Sequence, residues 1–187
     1  MRLVTLLVLL AAWSPGLGAQ GTVVLPEAPL DSARAALRED LLTFRDSLNT
    51  IDAAAGRLHR DYRQASAAVL RSRARVMTEA CTRSARNVPL ARKAVEASEA
   101  SNEARRRTRK ELLGALDRLT TVLTRCKTQF DAMSQPGKGE EVRGYGNDRA
   151  IRIQAGLREY DRVLARYLSA MGIKTPVPGS RPPAVPG

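Results

Sequence analysis

The chain has 187 residues, with 31 lysines and arginines against 19 aspartates and glutamates, and it contains one histidine and two cysteines. That inventory excludes a metal site built from several helical histidines, and two separated cysteines cannot complete a tetrahedral ligand set. Aromatic residues make up only 4% of the chain and β-branched runs are scarce, so the composition favours long helices.

Residues 1–19 have the layout of a secretory signal peptide. A basic start at Arg2 precedes a largely apolar run of ten residues, Leu3–Ala12, and small or helix-disfavouring residues follow it. The apolar run is about half as long as the ~20 residues that a membrane-spanning helix needs. We therefore predict an exported protein, periplasmic or secreted, that is cleaved near Ala19 or Gly21.

The predicted mature chain begins with a flexible lead-in and a long helix. Residues 20–30 contain two prolines and no apolar periodicity. From Leu37 to Val69, apolar residues recur at alternating steps of four and three, which is typical of a helix packed along other helices. Because the phase holds throughout, we predict one helix over about residues 31–86, capped by Asp31 or Ser32.

Pro89 is predicted to separate this helix from the next one. Proline lacks the backbone N–H and disfavours helical geometry in the residue before it. A second helix then covers about residues 90–133, and residues 134–146, with one proline and four glycines, form a loop. The apolar stripe of the second helix consists of Leu112, Leu116, Leu119, Leu123, Cys126, Phe130 and Met133.

A third helix is predicted over about residues 147–171. Asn147 or Asp148 caps its start, Gly172 ends it, and the proline-rich tail 173–187 is predicted to be disordered. Its apolar stripe consists of Ile153, Leu157, Tyr160, Leu164, Tyr167 and Met171.

These elements predict an all-α fold. If the chain reverses at Pro89, the three apolar stripes meet in an elongated antiparallel three-helix bundle or coiled coil, and residues 70–111 protrude as a helical hairpin arm. Cys81 and Cys126 are then ~45 Å apart at 1.5 Å per residue. A disulfide needs Cα atoms within about 7 Å, so Cys81 becomes the candidate for an intermolecular link.

A reversal near Asn102 is the alternative. It would place Cys81 opposite Cys126. It would also leave Leu37–Leu58 without a partner and pass a helix through Pro89, so the sequence favours the reversal at Pro89.

The arm concentrates the positive charge. It holds twelve bases and five acids, which is seven of the eleven net charges that remain once Arg2 leaves with the signal peptide. Clustered bases bind phosphate-bearing polymers by releasing counterions, although charge runs are also ordinary solvated helix faces. The candidate anion-binding residues are Arg71, Arg73, Arg75, Arg83, Arg86, Arg92, Lys93, Arg105, Arg106, Arg107, Arg109 and Lys110.

No residue pattern indicates catalysis. His59 is the only histidine, and no nucleophile or paired acid can be placed beside it. It directly follows Leu58, which indicates an exposed or flanking position. Tyr160 and Tyr167 share a stripe with leucines, so core packing explains them. We predict no enzymatic activity, no cofactor and no small-molecule substrate.

The sequence thus predicts a non-catalytic exported protein. Its leading function is that of a scaffold, spacer or protein-interaction module in the cell envelope, through self-association or another helical protein. The alternative is a binder of an anionic polymer or membrane surface through the arm 70–111.

Overall fold

The computed structural model describes residues 31–174, and the regular secondary structure of this part of the chain is helical, without a strand. The predicted signal peptide, the lead-in 20–30 and the tail beyond residue 174 lie outside the described residues. Within them, no helix combines the length and the apolar character that crossing a bilayer requires. The elements are α1 (Ser32–Asp61), α2 (Ala67–Ala97), α3 (Glu103–Ser134), α4 (Gly139–Glu141), a π-helical segment (Val142–Gly146) and α5 (Asn147–Ala170).

The four long helices form a four-helix bundle. α1 packs against α2 and α5, and α3 packs against the same two helices from the other side. The all-α class is confirmed. The three-helix bundle with an arm at residues 70–111 is wrong, because the chain reverses at residues 62–66 and 98–102 and not at Pro89.

The first reversal contains neither glycine nor proline, and the predicted helix 31–86 therefore ends much earlier than expected. α1, capped by Asp31 as predicted, stops at Asp61, and Ser66 caps α2 by accepting a hydrogen bond from the backbone N–H of Val69 at 3.4 Å. The apolar phase shifts by one residue at this turn. Leu70 is fully buried, whereas Val69 is 40% exposed.

Arg143, in the π-helical segment before α5, binds the backbone of this turn. Its guanidinium donates to the carbonyl oxygens of Tyr62, Arg63 and Ala65 at 2.7–3.0 Å, and its Nε donates to Glu140 at 3.0 Å. Carbonyl groups after a helix have no intrahelical partner, so these bonds satisfy acceptors that the turn would otherwise leave to water.

The second reversal lies beyond Pro89, which is inside α2. A proline in a helix interior costs about 3 kcal/mol, but its ring lies on the exposed side of α2. Val88, Ala91 and Val95 around it are buried and offset that cost. Asn102 then caps α3 by accepting a hydrogen bond from the N–H of Arg105 at 2.9 Å.

A disulfide joins α2 to α3. Cys81 and Cys126 are both fully buried, with their Cα atoms 6.1 Å apart. The predicted separation of ~45 Å was wrong because it followed from a reversal at Pro89. Cys81 is therefore bonded within the chain and is not an intermolecular thiol. Such a bond is consistent with an oxidising, extracytoplasmic location.

The predicted glycine-rich loop is largely helical. Gly139 begins α4 and lies so close to α2 that a Cβ added to it would be 2.4 Å from the Cβ of Ala67. A helical backbone then continues through the π-helical segment into α5. Asn147 therefore lies inside this run, and neither it nor Asp148 caps a helix start. The glycine at 139 serves close packing and not a turn.

The end of α5 lies where the sequence predicted it. Gly172 adopts a positive φ of 72° and ends the helix as predicted. The N–H of Ile173 donates to the carbonyl of Leu168 at 2.8 Å, and the Ile173 side chain is buried. The irregular tail was predicted to begin at this residue, but Ile173 belongs to the folded bundle.

The apolar stripes predicted from the sequence form the core. Every residue of the two stripes from Leu112 to Met133 and from Ile153 to Met171 is buried, as are Leu37, Leu41, Phe44, Leu48, Ile51, Ala55 and Leu58 of α1. α2 completes the core with its own buried residues: Leu70, Ala74, Met77, Ala80, Cys81, Ser84, Val88, Ala91 and Val95.

We expect the Cys81–Cys126 bond to stabilise the bundle by about 2–4 kcal/mol, since it closes a long loop in the unfolded chain. The variant Cys81→Ala/Cys126→Ala and the reduced wild-type protein should both lose stability of this order in urea unfolding. Equal midpoints for the oxidised and reduced proteins would contradict the cross-link.

The Gly139–Ala67 contact predicts that Gly139→Ala destabilises the bundle by about 1–3 kcal/mol, because an added methyl group forces the backbone apart. Gly144 provides the matched control, since a Cβ there meets nothing within 4 Å. Gly144→Ala should be neutral or stabilise by up to about 1 kcal/mol. Thermal unfolding of both variants measures the difference, and similar shifts would refute the packing role of Gly139.

Candidate anion-binding side of the bundle

The twelve bases predicted to form an arm lie on two adjacent helices of the bundle. Seven of them, from Arg71 to Lys93, are on α2, and the other five, from Arg105 to Lys110, are at the start of α3. The disulfide and the packing of α2 against α3 hold these segments side by side. The residues form part of one side of the bundle.

Charge is unevenly distributed around the bundle. α2 has seven bases and two acids and α3 has eight bases and four acids, so this pair of helices carries a net charge of +9. α1 has five of each and α5 has five bases and three acids, so the other pair carries +2. One long side is therefore strongly basic and the opposite side is close to neutral.

Some of the predicted residues are engaged within the protein. Arg73 pairs with Asp61 at 2.7 Å, Arg106 with Glu103 at 3.0 Å and Arg107 with Glu111 at 3.2 Å. Two more donate to the backbone, Arg105 to Ala170 and Arg109 to Glu96.

Arg92 is also engaged, and it links the two basic helices. It pairs with Glu96 on its own helix at 3.1 Å and with Asp117 on α3. The hydrogen bonds to Glu96 and Asp117 raise the pKa of Arg92. Its charge is thus neutralised locally and contributes little to an outward field.

Eight other bases of α2 and α3 are exposed and have no acidic side chain within ion-pair distance in residues 31–174. We call this set the basic side. Three members were not predicted, because they follow the expected arm along α3. The basic side consists of Arg75, Arg83, Arg86, Lys93, Lys110, Arg118, Arg125 and Lys127.

Two inter-helix bonds fix how these bases are arranged. Arg83 and Arg125 lie within two residues of the disulfide, on opposite sides of the α2–α3 seam. Arg118 follows Asp117, whose bond to α2 places it near Lys93. The span from Arg75 to Lys93 covers about 27 Å at 1.5 Å per residue.

His59 occupies a small polar cluster at the opposite end of α1 from Asp31. Its Nδ1 is 2.9 Å from Oδ1 of Asn147, and its ring stacks on Tyr62 with centroids 6.0 Å apart. The side chain is exposed, as predicted. A nucleophile that His59 could activate does not lie among its contacts in the described chain.

A largely apolar cavity of about 300 Å³ lies at the end of the bundle where α1 begins and α5 ends. Leu37, Ala94 and Met171 line it together with Arg105. Across residues 31–174, no three side chains of histidine, cysteine, aspartate or glutamate are grouped closely enough to hold a metal ion.

Tyr160 and Tyr167 are core residues, as the sequence predicted, but their hydroxyl groups differ. The hydroxyl of Tyr167 donates to Oγ of Ser98 at 2.6 Å. That of Tyr160 is buried without a hydrogen-bond partner, and its ring packs edge-on against Phe44. Burial raises the pKa of Tyr160 far above its ordinary value of 10.0.

Asp161, next to Tyr160, pairs with Arg45 of α1 at 3.1 Å. Burial nevertheless raises the pKa of this carboxyl, since desolvation outweighs the attraction of the guanidinium. The pair joins α5 to α1, and Asp161 lines a surface cavity of about 280 Å³ together with Asp52 and Gln154.

Comparison of the chain with models of known protein families, with curated proteins and with solved structures finds no match. A function for this protein is therefore inferred from the charge distribution and the contacts of its described residues.

The buried hydroxyl of Tyr160 predicts that the folded protein loses stability at alkaline pH. Its raised pKa favours the neutral phenol in the folded state, so stability is complete below about pH 10, the pKa in the unfolded chain, and falls as pH rises above it. Tyr160→Phe should leave stability unchanged or raised at neutral pH and should reduce the alkaline loss.

Tyr167→Phe is the control at neutral pH, since it breaks the bond to Ser98 and should cost about 1 kcal/mol. Burial also raises the pKa of Tyr167, so this residue contributes to the alkaline loss as well. Urea unfolding at about pH 7 and about pH 10.5 measures both effects. A clear loss for Tyr160→Phe at neutral pH would show that its hydroxyl has a stabilising partner.

Proposed function

We propose that this chain is a non-catalytic helical-bundle scaffold of the cell envelope that attaches to an anionic polymer or membrane surface through its basic side. The observation that carries the proposal is the sidedness of the charge, +9 on α2 and α3 against +2 on α1 and α5.

The sidedness argues against a merely solvated, arginine-rich surface. If arginine were used only as a good helix former, acids would accompany the bases in similar proportion on every long helix. α1 instead balances five bases with five acids, whereas α2 has seven bases for two acids. The excess follows one side of the bundle and not helix content.

The unpaired state of the basic side supports the same conclusion. Exposed bases without acidic neighbours keep their full charge, attract a polyanion and release its counterions on binding. Like charges on neighbouring helices also repel, so the arrangement costs stability. A surface that costs stability is a candidate for selection by binding.

A long bundle attached along one side would leave its opposite side exposed. That side, formed by α1 and α5, is nearly neutral overall and carries both acids and bases. The protein then acts as a spacer between the anionic material and whatever lies beyond it.

Charge reversal tests the proposal. We expect Arg86→Glu/Arg118→Glu/Arg125→Glu to weaken binding to sodium polyphosphate and to phosphatidylglycerol vesicles by at least about tenfold at about 50 mM salt. The slope of log affinity against log salt should fall by about three. Titration monitored by fluorescence anisotropy or calorimetry measures both quantities.

The matched control reverses three exposed bases on α1 and α5 that lack acidic partners in the described residues: Arg60→Glu/Arg152→Glu/Arg158→Glu. Both variants change the net charge equally. A much smaller loss of affinity for the control would therefore show that the position of the bases matters and not the total charge. Equal losses, or no binding of the wild-type protein to either probe at low salt, would refute the proposal.

A further inference from the structure

One apolar side chain stands in the middle of the basic side. Leu90 is 68% exposed, more than any other large apolar residue of residues 31–174. Its neighbour Pro89 is exposed as well. Neither residue serves the core, and the proline costs helix stability. Packing within the bundle therefore explains neither residue.

Bases surround this apolar pair. Arg86 lies one turn before Leu90 and Lys93 one turn after it, so all three share one face of α2. The bond between Arg92 and Asp117 brings Arg118 of α3 to the same level. Leu90 thus has one base before it and one after it on its own face of α2, and Arg118 lies at a similar height on α3.

We propose that the basic side docks on a bilayer containing anionic phospholipid, with Leu90 entering the boundary of the acyl chains while Arg86, Lys93 and Arg118 bind headgroup phosphates. The inference rests on the proposed function and names the occupant of the same surface. It follows from the combination of an exposed leucine with neighbouring bases, since buried apolar area and attraction to anionic lipid add together in binding to a membrane surface.

A soluble polyanion matches this surface less well. Polyphosphate has no apolar phase that could receive a leucine, so contact with it leaves Leu90 in water or dehydrates it without gain. Single-stranded nucleic acid binds through aromatic stacking as well as charge. The eight residues of the basic side and the Pro89–Leu90 pair contain no aromatic ring.

One leucine contributes modestly, so the docking is peripheral and reversible. Burying a leucine is worth roughly a tenfold to hundredfold change in affinity, and each nearby base adds electrostatic attraction to an anionic leaflet. Binding should therefore need both components and weaken with salt.

A single-tryptophan reporter tests the inference in the full chain. The chain has one tryptophan, Trp13, within the predicted signal peptide, so Trp13→Phe keeps the background silent whether or not residues 1–19 are cleaved. Leu90→Trp then reports on the basic side, and Ile151→Trp, at a residue 44% exposed on α5, is the matched control on another face. Circular dichroism confirms that both variants keep the helical fold.

The probes are vesicles of phosphatidylglycerol and phosphatidylcholine, vesicles of phosphatidylcholine alone, and sodium polyphosphate. We expect the emission of the Leu90→Trp variant to shift to shorter wavelength, and to be quenched by brominated acyl chains, with the anionic vesicles only. The Ile151→Trp variant should show neither change. In the native sequence, Leu90→Gln should weaken vesicle binding about tenfold or more and leave polyphosphate binding unchanged.

The outcomes separate this inference from the proposed function. Binding to both anionic probes with unshifted Leu90→Trp emission, or equal shifts for Leu90→Trp and Ile151→Trp, overturns lipid docking and leaves attachment by charge intact. An equal effect of Leu90→Gln on vesicles and polyphosphate also overturns it. No binding to either probe overturns both.

Discussion

The bond between Cys81 and Cys126 fixes the relation on which the rest of the molecule depends. It joins α2 to α3, the two helices with the largest excess of bases. Mutual repulsion would tend to separate such helices, whereas the buried cross-link and the surrounding apolar residues hold them in one register. The bases of both helices are thus held on neighbouring elements, and Leu90 lies on one of them.

The core could be predicted from the sequence because it depends on local periodicity. The stripes of α1, α3 and α5 are buried as their spacing indicated. The first reversal could not be predicted, since the turn after Asp61 has no glycine or proline. The second, near Asn102, was the alternative to a reversal at Pro89, and the sequence favoured Pro89 although this residue lies on an exposed side where a helix tolerates it. Only the caps Ser66 and Asn102, together with a phase shift of one residue at Leu70, marked the true turns.

The sequence identified many of the bases of the candidate site but did not predict how the helices arrange them. Counting bases found the charge on residues 70–111, but whether it forms an arm or a side depends on which helices become neighbours. Arg118, Arg125 and Lys127 joined the site only when α3 was placed beside α2. Gly139 was misinterpreted for a related reason, since its close approach to Ala67 is a tertiary contact that no local pattern records.

The cavity at the end of the bundle has a consequence for how the molecule is connected to its surroundings. Asp31, where the described chain begins, and Met171, near its close, line the same cavity. Both ends of the described chain therefore lie at one pole. The opposite pole, where Arg143 secures the turn between α1 and α2, is a closed hairpin end. A tether fused to either terminus would suspend the bundle from a single point and leave its long sides accessible.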